Sequence, residues 1–124
     1  MEWLNNITYN QQGLVPCITQ DHATKSVLMM AWQNEAAILA TLETGYMHYY
    51  SRSRDKLWQK GEESGHVQEL VELMLDCDGD TMLAYVNQQG LACHTGREDC
   101  FFRTVSKGEL VENKPIVKDP DEIY

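Results

Sequence analysis

Short strand-like segments separated by turns make up most of this sequence, and a single segment has the pattern of a helix. Residues 67–76 alternate side chains in the way typical of a strand, and residues 81–87 follow as a return partner through the turn Asp78-Gly79-Asp80. The other strand-like segments are residues 14–20, 26–31, 47–51, 56–59 and 101–105. The first two form one expected antiparallel hairpin, and the next two form a second pair of strands.

The helix pattern lies between the two pairs of strands. Asn34 can cap a helix over residues 35–43, and Gly45 is placed to end it. A length of 124 residues fits one domain. We therefore predict an α+β fold, a mostly antiparallel sheet with one main helix, in which residues 1–105 form the domain and residues 106–124 a C-terminal extension.

Cysteines and aspartates between residues 76 and 100 have spacings suited to two metal ions. Soft thiolates select zinc, whereas carboxylates select magnesium or calcium. Three thiolates without a fourth cysteine nearby would leave one zinc position open for water, as in catalytic sites. Along an extended chain the first two aspartates share a face and the cysteine between them points the other way. The candidate ligands are Cys77, Cys93 and Cys100 for zinc, and Asp76, Asp78 and Asp80 for magnesium or calcium.

Several familiar metal motifs do not fit this pattern. An EF-hand loop would need glycine at its sixth position, which is Thr81, and glutamate at its twelfth, which is Asn87. The paired knuckles of a zinc ribbon are absent, and no histidine has the His-x-Glu spacing of zinc-dependent nucleobase deaminases. A structural zinc site remains an alternative, with His94, Cys17 or another distant side chain as its fourth ligand.

A basic segment stands out in an otherwise acidic chain. The formal net charge is −9, which argues against non-specific nucleic-acid binding. Residues 51–60 nevertheless hold four basic residues against one acidic residue, a net charge of +3. Arginine and serine side chains here could bind the phosphate of a small molecule, although a solvated turn would have the same composition.

The cellular setting is predicted from what the sequence contains. No apolar run approaches the roughly 20 residues of a membrane helix, and the first residues lack the pattern of a signal peptide. We therefore expect a cytoplasmic protein without a membrane partner. In a reducing cytosol the four cysteines are expected to be free thiols or metal ligands rather than disulfides.

These motifs together resemble the phosphoribosyl-AMP cyclohydrolase family over about residues 13–103. In combination they are highly specific. The segments that carry the resemblance are Gly13–Pro16, Val27–Met29, Asn34–Glu35, Ser51–Arg54, Leu57–Gly65, Asp76–Asp80 and Cys93–Gly96.

The resemblance implies an enzyme of histidine biosynthesis that opens the adenine ring of 1-(5-phosphoribosyl)-AMP at the C6–N1 bond. It also implies an intertwined homodimer with zinc at the interface, held by Cys93 and Cys100 of one subunit and Cys77 of the other. Magnesium is implied on Asp76, Asp78 and Asp80.

Catalytic and binding roles follow from the implied reaction. His94 is the first candidate for the general base, because it adjoins a proposed zinc ligand and an imidazole is the side chain that most often serves as a general base, and His48 is the second. The expected substrate-binding residues are Ser51, Arg52, Ser53, Arg54, Lys60 and Arg97. A rival hypothesis is a dimeric module, stapled by zinc, that binds a phosphorylated ligand without chemistry.

Overall fold

The computed structural model describes residues 1–123. Its strands are β1 (Val15–Asp21), β2 (Val27–Gln33), β3 (His48–Ser51), β4 (Lys56–Gln59), β5 (Gln68–Leu75), β6 (Met82–Gln88), β7 (Arg103–Ser106) and β8 (Glu109–Glu112). Its helices are a 3-10 turn (Glu2–Asn6), α1 (Glu35–Thr44) and the short α2 (Pro120–Ile123). No helix in this range combines the length and apolar character needed to cross a bilayer.

The central sheet has four strands in the order β2-β1-β6-β5. The hairpins β1–β2 and β5–β6 are antiparallel, as predicted from their turns. They are joined by parallel pairing of β1 with β6, which sets Cys17 opposite Met82. The sequence did not predict this contact, but the fold remains α+β and mostly antiparallel, so the predicted fold class is confirmed at that level.

Helix α1 packs against β3, β4 and the edge strand β2, and it begins and ends where the sequence indicated. The Asn34 side chain accepts a hydrogen bond from Ala37 N at 2.8 Å, and Gly45 closes the helix in the left-handed conformation with φ 83°. The helix buries Ala37 and Ile38 completely. This burial fixes α1 against β3 and β4, the two strands on either side of the basic turn.

The small sheet consists of β3 and β4, and a buried polar network ties it to the central sheet. The Tyr49 hydroxyl lies 2.7 Å from Thr19 Oγ1 on β1 and donates to Gln68 Oε1 on β5 at 2.6 Å. All three side chains are fully buried, and the Tyr49 ring also contacts Trp58 on β4 at a centroid distance of 5.3 Å. The β3–β4 hairpin is therefore fixed relative to the core.

The C-terminal segment contains a hairpin where only its first strand was predicted. β7 and β8 pair through the turn at Lys107 and Gly108, and every residue of both strands is exposed. The hairpin spans the expected boundary between residues 105 and 106. Large apolar side chains on this segment are exposed, namely Phe101, Val105, Leu110, Val111, Ile116 and Val117.

Candidate active site

A cleft of about 1140 Å³ opens beside β3 and β4. Five of the six predicted substrate-binding residues line it, together with His94 from a loop more than thirty positions further along the chain. The five are Ser51, Arg52, Ser53, Arg54 and Lys60. The fold thus brings the basic segment and the first general-base candidate to one cavity.

The turn between β3 and β4 presents the basic side chains. Ser51 Oγ accepts a hydrogen bond from Arg54 N at 3.2 Å and lies 3.4 Å from Ser53 Oγ, which shapes the turn. The Arg52 guanidinium lies over the Trp32 ring at 4.9 Å. Stacking on an aromatic face restrains an arginine while leaving its N–H groups free to bind an anion in the plane of the guanidinium.

Lys60 lies at the junction between the cleft and the loop over residues 92–100, which we call the cysteine loop. Its ammonium donates to the carbonyl of Ala92 at 2.6 Å. Burial lowers the pKa of Lys60, and the nearby Cys100 and Cys93 act in the opposite direction. A half-buried cation on the wall of the cleft therefore lies near the two cysteines.

Cys93 and Cys100 are brought together by the loop over residues 92–100. Backbone hydrogen bonds from Cys93 N to Arg97 O and from Gly96 N to Cys93 O close the loop, and Cys100 N donates to Leu28 O. Burial of its sulfur, followed by the neighbouring Cys93, raises the pKa of the Cys100 thiol to about 12, although the residue as a whole is exposed. Two neighbouring cysteine sulfurs suit a metal ion, because the ion binds their thiolate forms and displaces the thiol protons.

Cys77 lies apart from this pair. It is exposed in the turn between β5 and β6. Within residues 1–123, the three cysteines do not form a group that could hold one ion, and the three aspartates of the same turn do. A single chain thus offers two thiols at one place and the third at another.

The carboxylates of Asp76, Asp78 and Asp80 each offer an oxygen within 4.8 Å of the others. All three residues are exposed. Desolvation acts to raise the pKa of Asp76, but hydrogen bonds with Asp80 and from the backbone N–H of Thr81 outweigh it and lower the pKa. Asp76 is therefore held ionised, as a hard ligand must be.

The two histidine candidates have different surroundings. His94 is exposed on the wall of the cleft, beside Cys93. His48 is buried on β3, with its Nδ1 2.9 Å from the carbonyl of Tyr46, and it is not part of the cleft lining. The arrangement favours His94 over His48 as the group that meets substrate.

Arg97 has partners other than those the sequence suggested. Its guanidinium donates from Nε to Lys114 O and pairs with Glu112 Oε2, both at 3.1 Å, and it stacks on Phe102 at 3.9 Å. These contacts occupy a buried side chain and hold the C-terminal segment against the cysteine loop. Arg97 is also outside the cleft lining, so the structure does not bring it together with the other predicted substrate-binding residues.

Aromatic residues of the cleft were missed by sequence reasoning. Trp32, Tyr50 and Trp58 line it, from β2, β3 and β4 respectively. A usable signal was present, because Trp58 lies between two lysines of the basic segment. Flat aromatic walls beside cationic groups suit a ligand that combines a planar ring with phosphates.

Comparison with known proteins gives consistent matches. The family model for phosphoribosyl-AMP cyclohydrolase matches residues 29–102. A curated phosphoribosyl-AMP cyclohydrolase from Nitrosospira multiformis is 51% identical, covering 98% of this chain and 95% of its own. Proteins of the same name from Pseudomonas paraeruginosa and Stutzerimonas stutzeri are 55% and 54% identical, covering 99% and 100% of this chain and 92% and 95% of their own.

Proposed function

The chain belongs to the phosphoribosyl-AMP cyclohydrolase family, and from that premise we propose how its own residues carry the reaction. It is an enzyme of histidine biosynthesis that hydrolyses the C6–N1 bond of the adenine ring in 1-(5-phosphoribosyl)-AMP. The alternative of a binding module without chemistry is therefore not retained. The observation that carries the assignment of roles is the cleft shared by the basic turn and His94.

The basic turn binds a phosphate of the substrate. Arg52 and Arg54 offer planar forks that match phosphate oxygens, and the hydroxyls of Ser51 and Ser53 can donate to the same group. The contact of Arg52 with Trp32 orients its guanidinium before the substrate arrives, which reduces the entropy lost on binding. In a chain of net charge −9, this local excess of positive charge directs the anionic substrate to the cleft.

The aspartate cluster fits magnesium. Asp76, Asp78 and Asp80 provide hard, anionic oxygens close enough to share one small cation. Magnesium sites commonly join one or two carboxylates to a phosphate. We assign to this ion the neutralisation of a substrate phosphate.

The cysteines fit a zinc site shared between two subunits. Cys93 and Cys100 lie together in one chain, while Cys77 is exposed elsewhere, so the third thiolate comes from a second copy. Cys93, Cys100 and the Cys77 of a second copy would hold the zinc, which would supply Lewis-acid activation of water. The positive charge of Lys60 near the sulfurs offsets part of the negative charge that three thiolates bring.

His94 acts as the general base. It lies on the cleft wall next to Cys93, where it can take a proton from the water that attacks C6. The electron pair of the breaking bond then passes to N1, which needs a proton. The protonated His94 can return it, so one residue serves in both directions.

A homodimer also explains the exposed apolar segment. The side chains of Val105 and Leu110 on β7 and β8 are 73% and 63% exposed, which is unusual for neighbouring apolar residues on a free surface. Seating them against a second copy would remove that surface from water. We place this dimer in the cytoplasm, where the four free cysteines stay reduced.

The proposal is tested with the purified protein and 1-(5-phosphoribosyl)-AMP. Ring opening should occur without ammonia release, should be lost after treatment with a zinc chelator, and should return when zinc and magnesium are both restored. X-ray absorption at the zinc edge should show three sulfur atoms and one lighter atom. Full activity in protein shown to contain no zinc would contradict the metal assignment, whereas ammonia release would contradict ring opening.

A further inference from the structure

His66 contacts the loop that leads to Cys93 and His94. It precedes β5, and its half-buried ring faces residues 90–91, which follow β6. Leu91 N–H donates to His66 Nδ1 at 3.0 Å, and the same nitrogen lies 3.3 Å from Leu91 O. Two segments separated by 25 positions in sequence therefore meet at one ring nitrogen.

The two contacts at Nδ1 exclude each other. A bare Nδ1 accepts from Leu91 N–H, whereas a protonated Nδ1 would donate to Leu91 O and would set two N–H groups against each other. The first contact is shorter, and it gives the backbone N–H of Leu91 a partner. The geometry thus favours the tautomer in which the proton of the neutral ring is on Nε2.

Close packing leaves the ring little room to move. Gly90 has φ 70°, and a Cβ at this position would lie 2.8 Å from His66 Cγ. A Cβ at Gly61, on the wall of the cleft, would meet the backbone of His66 and Val67. His66 is therefore enclosed between Gly61 on the wall of the cleft and Gly90, which lies just before the loop over residues 92–100.

The backbone N–H and C=O groups of His66 also link the cleft to the end of β6. His66 N donates to Ser64 Oγ at 3.2 Å, and Ser64 lines the cleft. His66 O accepts from Gln88 Nε2 at 3.3 Å, at the end of β6. Lys60 provides a second, independent tie, since it binds Ala92 O on the same loop.

We propose that His66 is a positioning residue, whose bare Nδ1 fixes the loop carrying Cys93 and His94 relative to the cleft segment over residues 60–64. The loop continues directly from Leu91 to these two residues, so a shift at Leu91 moves the proposed base with respect to substrate. This inference rests on the proposed function for its kinetic consequence only. The hydrogen bond itself is independent of the reaction.

Replacement by asparagine and by glutamine separates the hydrogen bond from packing. Asparagine places Oδ1 near the position of Nδ1, whereas the longer glutamine places its amide near the position of Nε2. Glutamine is closer to histidine in volume, so a role in packing alone predicts that His66→Gln is the milder change. The proposed acceptor role predicts the opposite order.

The expected result is that His66→Asn keeps kcat near the wild-type value, and that His66→Gln and His66→Ala lower it by about 10-fold to 100-fold. The KM should change little, because Arg52 and Arg54 lie on a different turn. The exposed His22→Ala provides the matched control and should leave both constants unchanged. A milder effect of His66→Gln than of His66→Asn would overturn the proposal.

Nuclear magnetic resonance tests the contact without any assay of turnover. In protein labelled with nitrogen-15, a scalar coupling across the hydrogen bond should connect Leu91 N to His66 Nδ1, and the ring should have its proton on Nε2. A proton on Nδ1 would overturn the proposal. Loss of ring opening in the wild-type protein would count against the proposed function instead, and the coupling would still decide the role of His66.

Discussion

Mixed dimers provide the sharpest test of a zinc site shared between subunits. Cys77 lies in the β5–β6 turn, whereas Cys93 and Cys100 lie in the loop that follows β6. Cys77→Ser and Cys93→Ser homodimers should each be inactive, because every site then lacks one thiolate and a neutral hydroxyl replaces it poorly. In a mixed dimer, one site combines the intact Cys93 and Cys100 of the first subunit with the intact Cys77 of the second.

The expected recovery follows from counting sites. The other site of the mixed dimer contains both defects, so a purified mixed dimer should have about half of the wild-type activity and half of its zinc. Random pairing makes about half of all dimers mixed, and an unpurified mixture should then recover about one quarter of the wild-type activity. The two subunits are best produced together with different affinity tags, and both ring opening and zinc content should be measured.

A matched control uses two defects on the same half of the site. Mixed dimers of Cys93→Ser with Cys100→Ser should recover nothing, because each of the two sites then lacks Cys93 or Cys100. Recovery in this control, or none in purified dimers of Cys77→Ser with Cys93→Ser, would refute the shared site. Sites built within one chain predict no recovery in either pairing.

Four further changes test the separate parts of the site and the fold. Asp78→Asn should remove the stimulation of activity by magnesium and raise KM roughly tenfold, which corresponds to about 1.4 kcal/mol of lost substrate binding. The zinc content should stay unchanged, and a parallel loss of zinc would show that the two metal sites are one. His94→Ala should lower kcat by roughly 100-fold to 10,000-fold, with zinc content retained. Loss of zinc would make His94 a ligand. Burial raises the pKa of Cys17 to about 12, so its thiol stays protonated as the pH rises through neutrality. At about pH 8, iodoacetamide should therefore modify the exposed Cys77 in metal-free protein but leave Cys17 unmodified, and mass spectrometry would detect the difference. Tyr49→Phe should lower the free energy of unfolding, measured in urea, by about 1–3 kcal/mol, because it leaves Gln68 Oε1 buried without its hydrogen-bond donor. An equal loss of stability in the exposed control Tyr46→Phe would contradict this reasoning.

Much of the site could be predicted from the sequence because its chemistry is carried by short segments. The aspartates of residues 76–80 lie on one turn, so their proximity needs no distant contact. The basic residues of the β3–β4 turn are likewise neighbours along the chain. Arg97 was assigned to substrate binding from its sequence position, but its buried guanidinium contacts Glu112 and Lys114, and no local pattern specifies partners that far away.

The sequence by itself determined the local elements of this protein. Alternation of side chains, the Asn34 cap and the turn glycines act through neighbouring residues, and they set the two main hairpins and helix α1 where the structure has them. Only the tertiary structure decided the parallel pairing of β1 with β6, the meeting of His94 with the basic turn, and the contact of His66 with Leu91. Each of these contacts joins segments far apart in the chain, and it forms because the whole core packs in one way rather than because of any local preference.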